Sequence, residues 1–154
     1  MTAHAHMHRR AFLLALVFNA LWINASEVFR YFVFIMPMMR EALAAIEGVA
    51  PMNLLVFFIW GVWDTILLFA ITGFTWLYME RFGRTGRNAV AAGSLAWLAI
   101  FGILWLGLYN MRLATIPILL VALSLSWLEM VVAALIVQKC SRVTLPEHVS
   151  ALHA

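Results

Sequence analysis

The sequence predicts an all-helical integral membrane protein: an antiparallel up-down bundle of four transmembrane helices with both termini in the cytoplasm. Hydrophobic residues make up 66% of the 154 residues and charged residues only 11%. In soluble domains, roughly 45–50% of the residues are hydrophobic and about 25% are charged. Four apolar runs are each long enough to cross a bilayer, and basic residues gather at their ends. Because the runs are continuous rather than alternating, they exclude a transmembrane β-barrel.

The four apolar runs form a single predicted transmembrane domain over residues 11–138, with short cytoplasmic tails at 1–10 and 139–154. A hydrocarbon core of about 30 Å requires roughly 20 helical residues, and every run meets that length. The predicted spans cover about 11–36, 52–79, 88–110 and 113–138.

The connections between the spans are short. Proline disrupts a helix interior, so Pro37 is the expected end of the first span, and residues 38–47 are a candidate interfacial helix. Residues 80–87 predict a basic, glycine-containing turn, and residues 109–113 a tight antiparallel hairpin. The third span is predicted to be a packing scaffold, because it carries small residues suited to close helix contact. These residues are Ala89, Ala92, Gly93, Ala96 and Gly107.

The distribution of lysine and arginine predicts the orientation, because cytoplasmic segments are enriched in both. One side has only Arg40 and Arg112, with Arg30 near it. We therefore expect a multi-pass protein of a bacterial cytoplasmic membrane, with an uncleaved first span because the chain stays apolar beyond Ala25. The charges do not form a phosphate-binding face, so nucleic acid is not an expected partner. The basic residues predicted on the cytoplasmic side are Arg9, Arg10, Arg81, Arg84, Arg87, Lys139 and Arg142.

Three acidic residues, Glu27, Asp64 and Glu129, lie inside the apolar runs. Ionisable groups within a membrane span are costly and are functional candidates by default. At 1.5 Å per helical residue, Glu27 and Asp64 lie about 25 Å from the cytoplasmic edge and Arg30 about 30 Å. We therefore predict an outer-leaflet cluster of these three side chains, with Glu27 and Arg30 close enough along one helix to form an ion pair.

A second polar layer is predicted deeper in the membrane. Glu129 lies about 15 Å from the cytoplasmic edge by the same count, and Asn19 and Thr72 come out near that depth. Trp60 lies one helical turn from Asp64, and an acid beside aromatic faces could hold an organic cation or a flat lipid-like ligand. The predicted ligand- or ion-binding residues are Glu27, Arg30, Asp64, Glu129, Asn19 and Trp60.

The same polar residues also have a structural interpretation. Arg30 could extend to the outer interface, with Glu27 and Asp64 as partners that hold the first two spans together. No histidine lies inside a predicted span, and the tail residues His4, His6 and His8 lack the supporting contacts of a metal site. We therefore expect no metal site and no cofactor.

Three functions remain open. The favoured hypothesis is the binding or transport of a small molecule, cation or proton in an intramembrane polar cavity. The alternative is an accessory subunit that packs against a partner membrane protein or a second copy of itself. A membrane enzyme of the isomerase type, with Asp64 or Glu129 as acid and base, ranks last because the chain lacks any nucleophile or metal set beside these acids.

Overall fold

The computed structural model describes residues 2–44 and 53–142, with side chains described from His8 onward. It confirms the prediction of an all-helical chain with four helices long and apolar enough to cross a membrane. Two of these helices each contain a short π-helical segment, at Tyr31–Ile35 and Leu98–Gly102. The α-helical segments are α1 (Thr2–Arg30), α2 (Met36–Ala42), α3 (Leu54–Phe82), α4 (Gly86–Trp97), α5 (Ile103–Asn110) and α6 (Ile116–Arg142).

These segments make up four candidate membrane spans, called the first to the fourth span below. The first span contains α1, a π-helical segment and α2, and the second span is α3. The third span contains α4, a π-helical segment and α5, and the fourth span is α6. The second, third and fourth spans extend a few residues beyond their predicted cytoplasmic ends, and the first begins at Thr2 rather than at Ala11. The fourth begins at Ile116 rather than at Leu113.

The first span does not end at Pro37, contrary to the prediction, but continues to Ala42. The backbone N–H of Met36 donates to the carbonyl oxygen of Tyr31, five residues earlier, which is the π-helical pattern. A proline ring normally clashes with the carbonyl four residues before it, and the wider π turn relieves that clash. The segment predicted as an interfacial helix therefore belongs to the end of the first span as far as Ala42. Residues 45–47 of that segment lie outside the described residues.

Side-chain caps mark the beginnings of α3 and α4. The Asn53 side chain accepts a hydrogen bond from the Val56 N–H, and Thr85 accepts one from Asn88. Such caps satisfy N–H groups that have no partner within the helix. At the end of α3, Gly83 has φ +95°, which favours glycine, and the chain turns directly into α4.

The spans pack in the cyclic order one, two, three, four, with neighbours antiparallel. Between the first and second spans, Asn19 bonds Thr72, and Phe12 packs on Trp76 one turn further on. From the first of these contacts to the second, the residue number falls on the first span and rises on the second span, so the two helices run antiparallel. The fourth span packs against all three other spans, including the second span (α3), which lies diagonally opposite it in the bundle.

Four of the five small residues of the third span are buried where it packs on the fourth span, whereas Gly107, contrary to the prediction, is partly exposed and a Cβ placed there would meet nothing within 4 Å. Ala89, Ala92, Gly93 and Ala96 are all buried. A Cβ atom placed on Gly93 would lie 2.7 Å from the backbone oxygen of Met130. Glycine therefore allows these two backbones their close approach, as small residues do in membrane bundles.

Candidate functional site

A buried ion cluster joins the first and fourth spans. Arg30 forms an ion pair with Glu27, one turn earlier on the same helix. Its Nη2 lies 4.0 Å from Oε2 of Glu129 on α6. The Ser26 hydroxyl donates to the same Oε2 at 2.9 Å. Glu27, Arg30 and Glu129 are only 7%, 6% and 1% exposed, so the charges are shielded from the surroundings.

The position of Glu129 differs from the expected separate, deeper layer. Helical side chains lean toward the N-terminus of their own helix. Because α1 and α6 are antiparallel, the Arg30 and Glu129 side chains lean toward each other and meet. The Trp22 indole N–H also donates to the Glu129 backbone oxygen at 3.0 Å, which holds the two helices in this register.

Two polar atoms of the cluster have no hydrogen-bond partner among the described residues. They are Nη1 of Arg30 and Oε1 of Glu129, and both are buried. Buried polar atoms are satisfied in the great majority of cases, so such exceptions need a physical explanation. The guanidinium also lies 5.0 Å from the centre of the Phe101 ring, in a cation–π contact.

Asp64 and Trp60 line a cleft beside the ion cluster, between the first and second spans. The cleft comprises two cavities of about 80 and 110 Å³, and Glu27, Tyr31, Trp60 and Asp64 line both. The Tyr31 and Trp60 rings pack at 4.8 Å between centroids and form an aromatic wall. Asp64 is half-buried and makes no hydrogen bond or ion pair with any described residue.

The third span contributes to this cleft, although the sequence indicated only a packing role for it. Phe101 and Trp105 are buried and line the smaller cavity. Their spacing of four residues places them on one helical face, but no sequence signal linked that face to Glu27 or Asp64. The π-helical segments of the first and third spans supply Tyr31 and Phe101, and such segments are frequent at functional sites.

The remaining predicted residue, Asn19, lies apart from the cleft. It lies eight residues before Glu27, about 12 Å along the helix. Its side-chain amide donates to the Thr72 hydroxyl at 3.0 Å, and both residues are fully buried. The expectation that Asn19 and Thr72 share one depth is confirmed by this hydrogen bond. It links the first and second spans and is not part of the ion cluster.

The Asn19–Thr72 pair predicts a stability effect. Thr72→Val should lower the free energy of unfolding in detergent by about 1 kcal/mol, because it leaves the Asn19 amide without its acceptor. The matched control is Thr65→Val, since the exposed Thr65 hydroxyl bonds only the carbonyl of Gly61 on its own helix. Equal unfolding free energies for the two variants would contradict the assigned role of the pair.

Within residues 2–44 and 53–142, no three histidine, cysteine, aspartate or glutamate side chains are grouped closely enough to hold a metal ion. Comparison with protein-family models, curated proteins and solved structures found no match to this chain. The geometry of the cleft is therefore the basis for a functional proposal.

Proposed function

We propose that the chain is a multi-pass integral protein of a bacterial cytoplasmic membrane, with both termini on the cytoplasmic side. Four side chains, one from each span, support insertion: Leu21, Ile66, Ile103 and Leu120 are between 62% and 70% exposed. Apolar surface of this extent is unfavourable in water and suits a lipid environment. The excess of lysine and arginine in the second connection and at both ends supports the orientation.

The proposed function is the binding of a small cation in the cleft between the first and second spans. The observation that carries this proposal is the half-buried Asp64 carboxylate, which lines the cleft and makes no hydrogen bond or ion pair with any described residue. An ionised carboxylate within a membrane span is unfavourable unless a cation or proton compensates it. Glu27, the other carboxylate of the cleft, already has Arg30 as its counter-ion.

The charge balance of the region favours a cation. If every group is ionised, the three carboxylates of Glu27, Asp64 and Glu129 exceed the single guanidinium of Arg30 by two negative charges. An uncompensated charge in a low-dielectric surrounding attracts a counter-ion strongly. The aromatic walls of the cleft add favourable interactions for a cation that enters.

Neutralising Asp64 tests the proposal. The purified full chain in lipid nanodiscs would be titrated calorimetrically with the chlorides of sodium, potassium and tetramethylammonium, and proton uptake would be measured in weakly buffered solution. We expect at least one of these cations to bind, and Asp64→Asn to weaken that binding about tenfold or more, equivalent to about 1.4 kcal/mol.

Glu41→Gln is the matched control, because Glu41 is an exposed acid on the first span that does not line the cleft. This variant should bind as the wild type does. Wild-type protein that binds none of the four cations, or equal binding by both variants, would contradict the proposed function.

A second candidate function is that of an accessory subunit, and the exposure of Trp63 favours it. Trp63 lines the smaller cavity but is 55% exposed on the outer side of the second span. A partner helix packed against that side would cover both Trp63 and the entrance of the cleft. Purification in mild detergent distinguishes this candidate, since a stoichiometric partner whose yield falls in Asp64→Asn would favour the subunit role.

A further inference from the structure

The Arg30 side chain has two carboxylates nearby and forms a close ion pair with only one of them. It forms an ion pair with Glu27 on its own helix. Its Nη2 remains 4.0 Å from Glu129, beyond hydrogen-bond distance. Nη1 of Arg30 and Oε1 of Glu129 are buried without partners among the described residues. The present arrangement therefore leaves one donor of Arg30 and one acceptor of Glu129 unsatisfied.

A rotation of the guanidinium that brings both of its terminal nitrogens to the Glu129 carboxylate would satisfy both atoms. Arginine and a carboxylate then form two parallel hydrogen bonds, the strongest geometry for this pair. The same rotation would remove the counter-ion from Glu27. A buried carboxylate without a counter-ion is strongly destabilising, so the rotated arrangement requires another cation beside Glu27. The structure holds Arg30 beside Glu27, and a cation in the cleft would favour the rotated arrangement beside Glu129.

The cleft is suited to an organic cation rather than to a metal ion. Metal ions such as Ca²⁺ require six or more oxygen ligands, whereas aromatic and aliphatic side chains make up most of the walls here. The Arg30 guanidinium, itself a weakly hydrated organic cation, lies 5.0 Å from the centre of the Phe101 ring, so the aromatic wall suits a cation of this class. The two cavities of the cleft, of about 80 and 110 Å³, are each smaller than the roughly 150 Å³ that encloses benzene. A compact ion of the size of tetramethylammonium must therefore occupy space in both, beside the residues that they share.

We infer that the cleft binds a compact organic ammonium ion, which replaces the Arg30 guanidinium as the counter-ion of Glu27 while Arg30 turns to Glu129. This inference rests on the proposed function, since it names the class of cation bound at Glu27 and Asp64. Glu129 then affects the affinity without touching the ligand, because it receives the displaced arginine. It does not line either cavity of the cleft.

The test uses tetramethylammonium chloride and sodium chloride at equal ionic strength, titrated calorimetrically into the full chain in nanodiscs. We expect saturable binding of tetramethylammonium and binding of sodium that is about tenfold weaker or less. Glu129→Gln should weaken tetramethylammonium binding about tenfold, because a neutral amide stabilises the displaced guanidinium less than a carboxylate does. Glu41→Gln should leave the affinity unchanged, and circular dichroism would verify that both variants are folded.

A second variant keeps the test informative if Glu129→Gln does not fold. Trp60 lines both cavities and is exposed on its outer side, so Trp60→Leu should preserve the fold. It should weaken tetramethylammonium binding several-fold through the loss of an aromatic face and leave proton uptake unchanged. Phe58→Leu is its matched control, because Phe58 lies on the same span and lines neither cavity.

The outcomes separate this inference from the proposed function. Binding of sodium or protons that Asp64→Asn abolishes, with no binding of tetramethylammonium, would retain the proposed function and overturn the inference. Binding of tetramethylammonium that is equally strong in Glu129→Gln would overturn the exchange of Arg30 between carboxylates. The absence of binding of all these cations would overturn both.

Discussion

Arg30→Met should lower the free energy of unfolding by about 3–5 kcal/mol, the largest effect expected of any single substitution in this protein. The variant keeps an apolar side chain of similar length but removes the cation between Glu27 and Glu129. Two buried carboxylates would then face each other without compensation. Unfolding by sodium dodecyl sulfate in mixed micelles, followed by circular dichroism, measures the change.

The matched control for this substitution is Arg40→Met, since Arg40 is an exposed arginine near the end of the same span. It should change the unfolding free energy by less than about 0.5 kcal/mol. Adding Glu129→Gln to Arg30→Met should recover about 1–3 kcal/mol, because it removes one of the uncompensated charges. An Arg30→Met variant as stable as Arg40→Met would contradict the assigned ion cluster.

Gly93→Ala should lower the free energy of unfolding by about 1–3 kcal/mol, because overpacking forces neighbouring groups apart. The added Cβ would meet the backbone of Met130 at 2.7 Å and that of Val131 at 2.8 Å. Backbone atoms cannot rotate away as a flexible side chain can. The third and fourth spans would therefore have to separate, which loosens the contact made by the small-residue face. Thermal unfolding in detergent and the unfolding free energy in mixed micelles both report the effect.

Gly61→Ala is the control for this prediction. A Cβ atom at Gly61 would meet nothing within 4 Å. Alanine also favours a helix over glycine by about 1 kcal/mol, so this variant should be as stable as the wild type or slightly more stable. If both alanine variants stabilised the protein equally, helix propensity rather than the close approach of the backbones would determine the effect at Gly93, and the prediction would be wrong.

The number and type of the helices were predictable from the sequence. Continuous apolar runs of membrane length predict long helices, and most ends of the helices found lie within a few residues of those predicted. Pro37 is the exception, because its effect depends on whether the preceding turn widens. That widening occurs at Tyr31–Ile35, and no local sequence rule required it.

The composition of the site was predictable only in part. Helical spacing indicated the pair of Glu27 and Arg30, because residues three apart lie on one face. A depth count placed Glu129 too far away, since it measures backbone position and ignores the direction in which a long side chain leans. The aromatic contributions of Phe101 and Trp105 had no signal at all, because aromatic residues are common in every span of this chain.

The sequence by itself determined that this chain forms four long apolar helices with acidic residues within them. Hydropathy and length act locally, and each helix satisfies its own backbone, so neither property depends on the neighbouring helices. Only the tertiary structure decided that Glu129 lies beside Arg30, that Asp64 makes no hydrogen bond or ion pair with a described residue, and that the third span lines part of the cleft. These facts depend on the rotation and register of packed helices, which side-chain contacts across the whole bundle establish together.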